Sequence, residues 1–272
     1  MINTVHLFEP LDKKLIALLR SLSAGDWQRS TVASQWNVKD VAAHLLDGNL
    51  RSISSHRDHY HGIDAGRLHS FEDLVGFLNK INADWIVAMK RVSPAALTDW
   101  LEATGNQYSA LMKSANLQAP APFAVSWAGD EESPNWFHIA REYTEKWHHQ
   151  QQIRDAVGTP GIMTDELYYP VLDTFMMALP HTYRHTAAPN GTIVQVSISG
   201  EGGGHWFLLR EGRWVLSKTN DAPVAAHTTI DGAVAWKLFT KSWRRKEIES
   251  YVRIEGDRPL AETALNMIAV MA

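Results

Sequence analysis

In the stretch REYTEKWHHQQQIRDAVG, residues 141–158, Glu145 and His149 stand four residues apart. On a helix that interval places two side chains on one face, where a carboxylate and an imidazole can share one divalent ion. His138 and Glu142 extend the series in steps of four, three and four, a polar stripe on a helix that must also pack. Solvent satisfies such a stripe at a surface. In an interior, unpaired charge is costly, and a divalent cation turns the same groups into a neutralised cluster. His44, within WNVKDVAAHLLDGN, raises the same choice. Among alanines and leucines its ring needs a partner, which is either a backbone carbonyl or the same ion.

The elements that must carry these residues fall into two groups. Phe8, Leu11, Leu15, Leu18 and Leu22 recur at helical steps between Thr4 and Leu22. A second helix opens at Asn37, a capping residue, with Val38, Val41, Ala42, Leu45 and Leu46 facing inward. The spacing predicts a third helix over 71–92 and a fourth from Pro94, behind the Ser93 cap, to about Leu117. A proline-rich loop follows, then the helix opened by Ser133 and Pro134, then a helix over about 164–185. Beyond Asn190–Gly191 the period becomes two. TIVQVSIS, HWFLLR, RWVLSK and AAHTTI read as strands, followed by a helix from Gly232, a strand SYVRIEG and a helix from Pro259. The expected fold class is therefore α + (α+β), with a helix bundle over 1–187 and a small α+β domain over 188–272.

Composition narrows the chemistry. With 272 residues and 45% hydrophobic content, two cores can be filled. The net charge of −4 lacks the basic footprint of a nucleic-acid binder. No run of about 18 apolar residues or basic leader occurs, so no membrane partner and a cytoplasmic location are expected. The absence of cysteine leaves His, Asp and Glu as metal ligands, and any thiol chemistry must use an external thiol. HRDHYHG, with His56, His59 and His61, reads as a solvated helix end, and the glycines of SGEGGGHW read as a hairpin turn between two strands.

The combination of W-N-V-K-D-V-A-A-H-L-L with E-x-x-x-H-x-x-Q and I-R-D-A-V-G resembles the DinB-like metal-binding bundles. It is most similar to the mycothiol-dependent maleylpyruvate isomerase group, in which a four-helix bundle precedes a domain similar to sterol carrier proteins. The resemblance implies that His44, Glu145 and His149 bind zinc, nickel or another divalent ion, with positions left for water and a low-molecular-weight thiol. His148, turned about 100° away on the helix, is then the neighbour and not the ligand. Gln152 supports the metal or faces substrate, and stands where the mycothiol group often has aspartate. Arg244 and Arg245, in KSWRRKEIESYVRIEG, are the candidates to clamp a substrate carboxylate, or else form a solvated basic turn.

The implied activity is thiol-dependent isomerisation of, or transfer to, a small electrophilic substrate, in a monomer or homodimer. A metal-dependent hydrolase and a noncatalytic carrier or metal-stabilised scaffold are the alternatives.

Overall fold

The computed structural model describes residues 1–67 and 69–270, with Phe71 described in its backbone alone. Two compact units emerge, one comprising residues 4–116 and 145–162, the other 1–3, 117–144 and 163–270.

The first unit is built on α1 (Phe8–Ser21), α2 (Val38–Ser52), α3 (Phe71–Met89), α4 (Pro94–Ser114) and the C-terminal part of α5 (Asn135–Val157). Capping was legible in the sequence. Asn37 accepts from the Asp40 backbone in a reciprocal capping box, and Ser93 accepts from Ala96 ahead of Pro94. The core joins Leu15 and Leu19 of α1, Val41 and Leu45 of α2, Met89 of α3, Leu101 of α4 and Ile153 of α5. Trp85 of α3 donates its indole N–H to the Ala43 carbonyl, 2.8 Å away, which fixes α3 against the helix that carries His44.

A buried ion pair ties α5 into this unit. Lys146 Nζ lies 2.9 and 3.1 Å from the two Asp12 carboxylate oxygens and 4.6 Å from the Tyr108 ring centre. Gly105 makes room, since a Cβ there would lie 2.8 Å from Asp12 Oδ2. About two turns further along α5, Arg154 donates to the carbonyls of Lys14, Thr159 and Pro160.

The second unit contains α6 (Tyr169–Met176), α7 (Leu179–Thr182), α8 (Gly232–Phe239), α9 (Arg245–Ile248) and α10 (Arg258–Thr263) around a five-stranded sheet. Its strands are β1 (Ile193–Ser199), β2 (Gly204–Glu211), β3 (Arg213–Ser217), β4 (Ala226–Asp231) and β5 (Val252–Gly256), in the order β3-β2-β1-β4-β5. The pair β1/β4 is parallel and the others are antiparallel.

Val194, Val196, Ile198, Trp206, Leu208, Thr228 and Ile230 point to the buried face, where Thr228 Oγ1 donates to the Ala261 carbonyl. The glycine-rich segment is the β1–β2 hairpin turn, as expected. Gly200 and Gly202 have positive φ, and a Cβ at Gly203 would lie 2.2 Å from the Ile198 carbonyl oxygen.

The single helix expected over 164–185 is two short helices. Pro170 and Pro180 each occupy a first-turn position, and Pro180 has no N–H to continue the helix begun at Tyr169. The helix from Pro259 ends at Thr263 and gives way to one tight turn, Ala264–Asn266.

Removing one partner of the Asp12–Lys146 pair strands a buried charge. Asp12→Ala is expected to destabilise the protein by about 3 kcal/mol, and the double variant Asp12→Leu/Lys146→Met to recover most of that loss. Urea denaturation of the three proteins measures both effects.

Candidate metal centre

α2 and α5 supply the site. His44 follows the Asn37 cap by two turns of α2, and Glu145, His149 and Gln152 follow one another along α5. The structure brings His44 and His149 together, their rings 4.6 Å apart at 75°. Glu145 Oε2 lies 3.6 Å from His149 Nε2. On the other side of the ring, His149 Nδ1 meets Gln152 Oε1 at 2.9 Å. An amide oxygen accepts only, so this contact assigns the proton to Nδ1 and leaves the Nε2 lone pair facing Glu145. Gln152 therefore does what a ligand-orienting group does: it selects the tautomer and holds the ring.

His44 keeps a partly exposed edge, yet its Nδ1 is enclosed without a hydrogen-bond partner among the described residues. Trp36 walls it, ring centres 4.8 Å apart. Burial pushes the His44 imidazole well below the ordinary histidine value, with His149 adding to the shift. His149 is pushed down to about 3 by burial and by His148, against an opposing effect of Glu145. Both rings are thus neutral near pH 7, the state in which imidazole donates to a metal. Two neutral imidazoles, one of them with an enclosed unsatisfied nitrogen, and one carboxylate are donors of the kind that hold a divalent ion, while the donor atoms that lie within 4.8 Å of one another among the described residues are those of Glu145, His148 and His149.

His148 is closer to this group than a 100° rotation suggests. A donor atom of His148 lies within 4.8 Å of those of Glu145 and His149, its Nδ1 being 3.9 Å from Glu145 Oε2. Its ring centre is 4.0 Å from that of His149. Rotation fixes where the two Cα atoms point. The imidazoles extend far enough beyond them to close the angle. Trp36 is the other residue whose role went unread, although it directly precedes the Asn37 cap.

The remaining sequence candidates are placed elsewhere. In the second unit, Arg141 bonds both His138 Nδ1 (2.8 Å) and Glu142 Oε1 (2.7 Å), so that half of the stripe satisfies itself in part by an internal cation. Arg245 opens α9 and pairs with Glu262 at 2.6 Å, while Arg244 precedes it and bonds Glu247 through its backbone N–H. Both arginines are exposed. His59 and His61 are exposed, in keeping with a solvated helix end. No helix among the described residues is long and apolar enough to cross a membrane.

Comparison with known proteins gives three findings. The family described as "Mycothiol maleylpyruvate isomerase N-terminal domain" matches residues 8–154. Two solved structures of mycothiol-dependent maleylpyruvate isomerase, one of them a mutant, each align with a TM-score of 0.54 at 11% identity. Each alignment covers 94% of this chain and 93% of the other, a likeness of fold. No curated protein matches.

Two outcomes test the site. With both imidazole values lowered in the folded chain, the unfolded chain takes up more protons on acidification. The stabilisation is complete above about pH 6.5 and is lost as the pH falls, by up to about 1.4 kcal/mol per pH unit for each ring. Urea midpoints of the metal-free protein between pH 7.5 and 5 are expected to show this slope, and His44→Gln/His149→Gln to flatten it. Gln152→Leu is expected to weaken divalent-metal binding by about 10- to 100-fold while leaving the fold intact, read by competition with a chromophoric chelator.

Proposed function

The chain belongs to the mycothiol maleylpyruvate isomerase N-terminal domain family, and on that premise we propose a divalent-metal enzyme that uses a low-molecular-weight thiol, mycothiol or a relative, on a small electrophilic substrate. The reaction is isomerisation of that substrate or transfer of the thiol to it. The observation that carries this reading is the pairing of two neutral imidazoles, His44 and His149, beside the Glu145 carboxylate.

His44, Glu145 and His149 would hold the ion, zinc by preference or nickel. The bound ion supplies positive charge that lowers the pKa of a thiol and makes thiolate available near neutral pH. The chain does the rest. Gln152 holds His149 in the tautomer that offers Nε2. Trp36 shields one side of His44 and keeps water from that flank. His148, with a donor atom beside Glu145 and His149, is the group on hand to hold or move a proton at its Nδ1.

Arg244 and Arg245, in the second unit, stay candidates for carboxylate binding as exposed guanidinium groups, although Arg245 already pairs with Glu262. The domain division at 187/188 belongs to the same proposal, because the family match over 8–154 lies wholly on one side.

Purified protein is expected to carry about one equivalent of divalent metal by elemental analysis, reduced to trace in His149→Ala. Cobalt-substituted protein then reports thiol binding through a sulfur-to-metal absorption band in the near ultraviolet, with mycothiol, glutathione and cysteine titrated in turn. Metal without any thiol band removes the thiol reading and leaves a metal-dependent hydrolase. Absence of metal removes the enzyme proposed here.

A further inference from the structure

The outward face of the sheet carries a second set of chemically matched side chains. Ser197 of β1 lies between His205 of β2 and His227 of β4, with Ser197 Oγ 2.8 Å from His205 Nδ1 and 2.8 Å from His227 Nε2. His227 Nδ1 in turn lies 3.3 Å from Glu255 Oε2 of β5. Strand register explains the convergence. Ser197 is directly opposite His205, and His227 directly opposite Glu255, while β1 and β4 are parallel neighbours.

Proton bookkeeping gives this chain a direction. With its proton on Nδ1, His227 faces Glu255 Oε2 at 3.3 Å in a charge contact, while Glu255 Oε1 pairs with Arg253; that tautomer leaves Nε2 with its lone pair to accept the Ser197 hydroxyl proton. That hydroxyl has one proton, so in the same tautomer His205 donates Nδ1–H to Ser197 Oγ, with Gln195 Nε2 also 3.5 Å from that Nδ1. The Gln195 amide nitrogen donates to the same oxygen at 3.1 Å. Thr229 Oγ1 is a second hydroxyl near His227 Nε2, at 3.2 Å. Ser197 is only 3% exposed, whereas His205 is exposed and Glu255 half-exposed.

A serine whose proton is aimed at an imidazole, itself oriented by a carboxylate, is the arrangement that makes a hydroxyl nucleophilic. Ser197 lies mid-strand in β1.

We propose that Ser197, His227 and Glu255 form a nucleophilic site that accepts small acyl groups from esters, with Gln195 and His205 as oxyanion donors. Ser197 Oγ bonds to the carbonyl carbon as its proton passes to His227 Nε2, and the imidazolium is paired with Glu255. The carbonyl oxygen takes the negative charge, facing the N–H groups of Gln195 and His205. The ester C–O bond breaks, and the departing alkoxide leaves as alcohol with the proton from His227. Water then attacks the acyl-serine, giving a proton to His227 that returns to Ser197 Oγ, and the carboxylic acid is released.

The test uses the full chain with p-nitrophenyl acetate and a fluorophosphonate probe, read by nitrophenolate release and peptide mass mapping. One label per chain at Ser197 is expected, lost in Ser197→Ala and slowed about 100-fold in His227→Gln, with Glu255→Gln intermediate. Failure to label Ser197, or labelling unaffected by His227→Gln in a variant whose thermal melt matches wild type, overturns the proposal.

A second measurement needs no oxyanion site. The chain has no cysteine, so Ser197→Cys introduces a single thiol. It is expected to react with iodoacetamide at pH 7 about tenfold faster than Ser197→Cys/His227→Gln. Equal rates would overturn the activation of this position.

Discussion

Everything at the α2–α5 site depends on keeping imidazoles uncharged. The ring of His149 is enclosed, that of His44 has an enclosed nitrogen with no hydrogen-bond partner among the described residues, and the two stand in contact. Charging either would set a cation against the other ring in a medium that solvates it poorly, so both are held as neutral donors. The same burial makes an unsatisfied nitrogen expensive. A divalent ion would answer both conditions at once, because it coordinates a neutral ring and brings positive charge beside the Glu145 carboxylate.

Holding those groups in place is the work of ordinary bundle physics. The Asn37 capping box starts α2 in register, so that His44 falls two turns later, and Trp85 fastens α3 against the Ala43 carbonyl. On α5 the buried Lys146–Asp12 pair immediately follows Glu145, and the Arg154 contacts follow Gln152. The site segment of α5 is thus clamped at both ends by long cationic side chains whose charge is met by a carboxylate or by carbonyls. Rigidity of this kind is what a coordination site requires of its scaffold.

The sheet presents the same problem in another geometry. Period-two alternation sends Val194, Val196 and Ile198 to the core and Gln195 and Ser197 outward. Outward residues on four neighbouring strands then find each other across the ladder. Ser197 bonds both His205 and His227, and Glu255 stands beside His227 at the end of the row.

Helix and strand periods, the Asn37 and Ser93 caps, the hairpin glycines and the four-residue interval of Glu145 and His149 were all legible in the sequence, because each is set by residues within a few positions of one another. The three-residue step to Gln152 was legible for the same reason. Proline placement marked 170 and 180 as well, although the apolar period across 164–185 masked the break.

The closeness of His148 to Glu145 depends on side-chain torsions, which periodicity leaves open. That His44 meets His149 follows from the packing of two helices about a hundred residues apart, and here resemblance, not spacing, anticipated it. The meeting of Ser197 with His205, His227 and Glu255 had no sequence signal at all. Strand register, the product of the whole sheet, put them side by side, and only the tertiary structure decides which outward residues become neighbours.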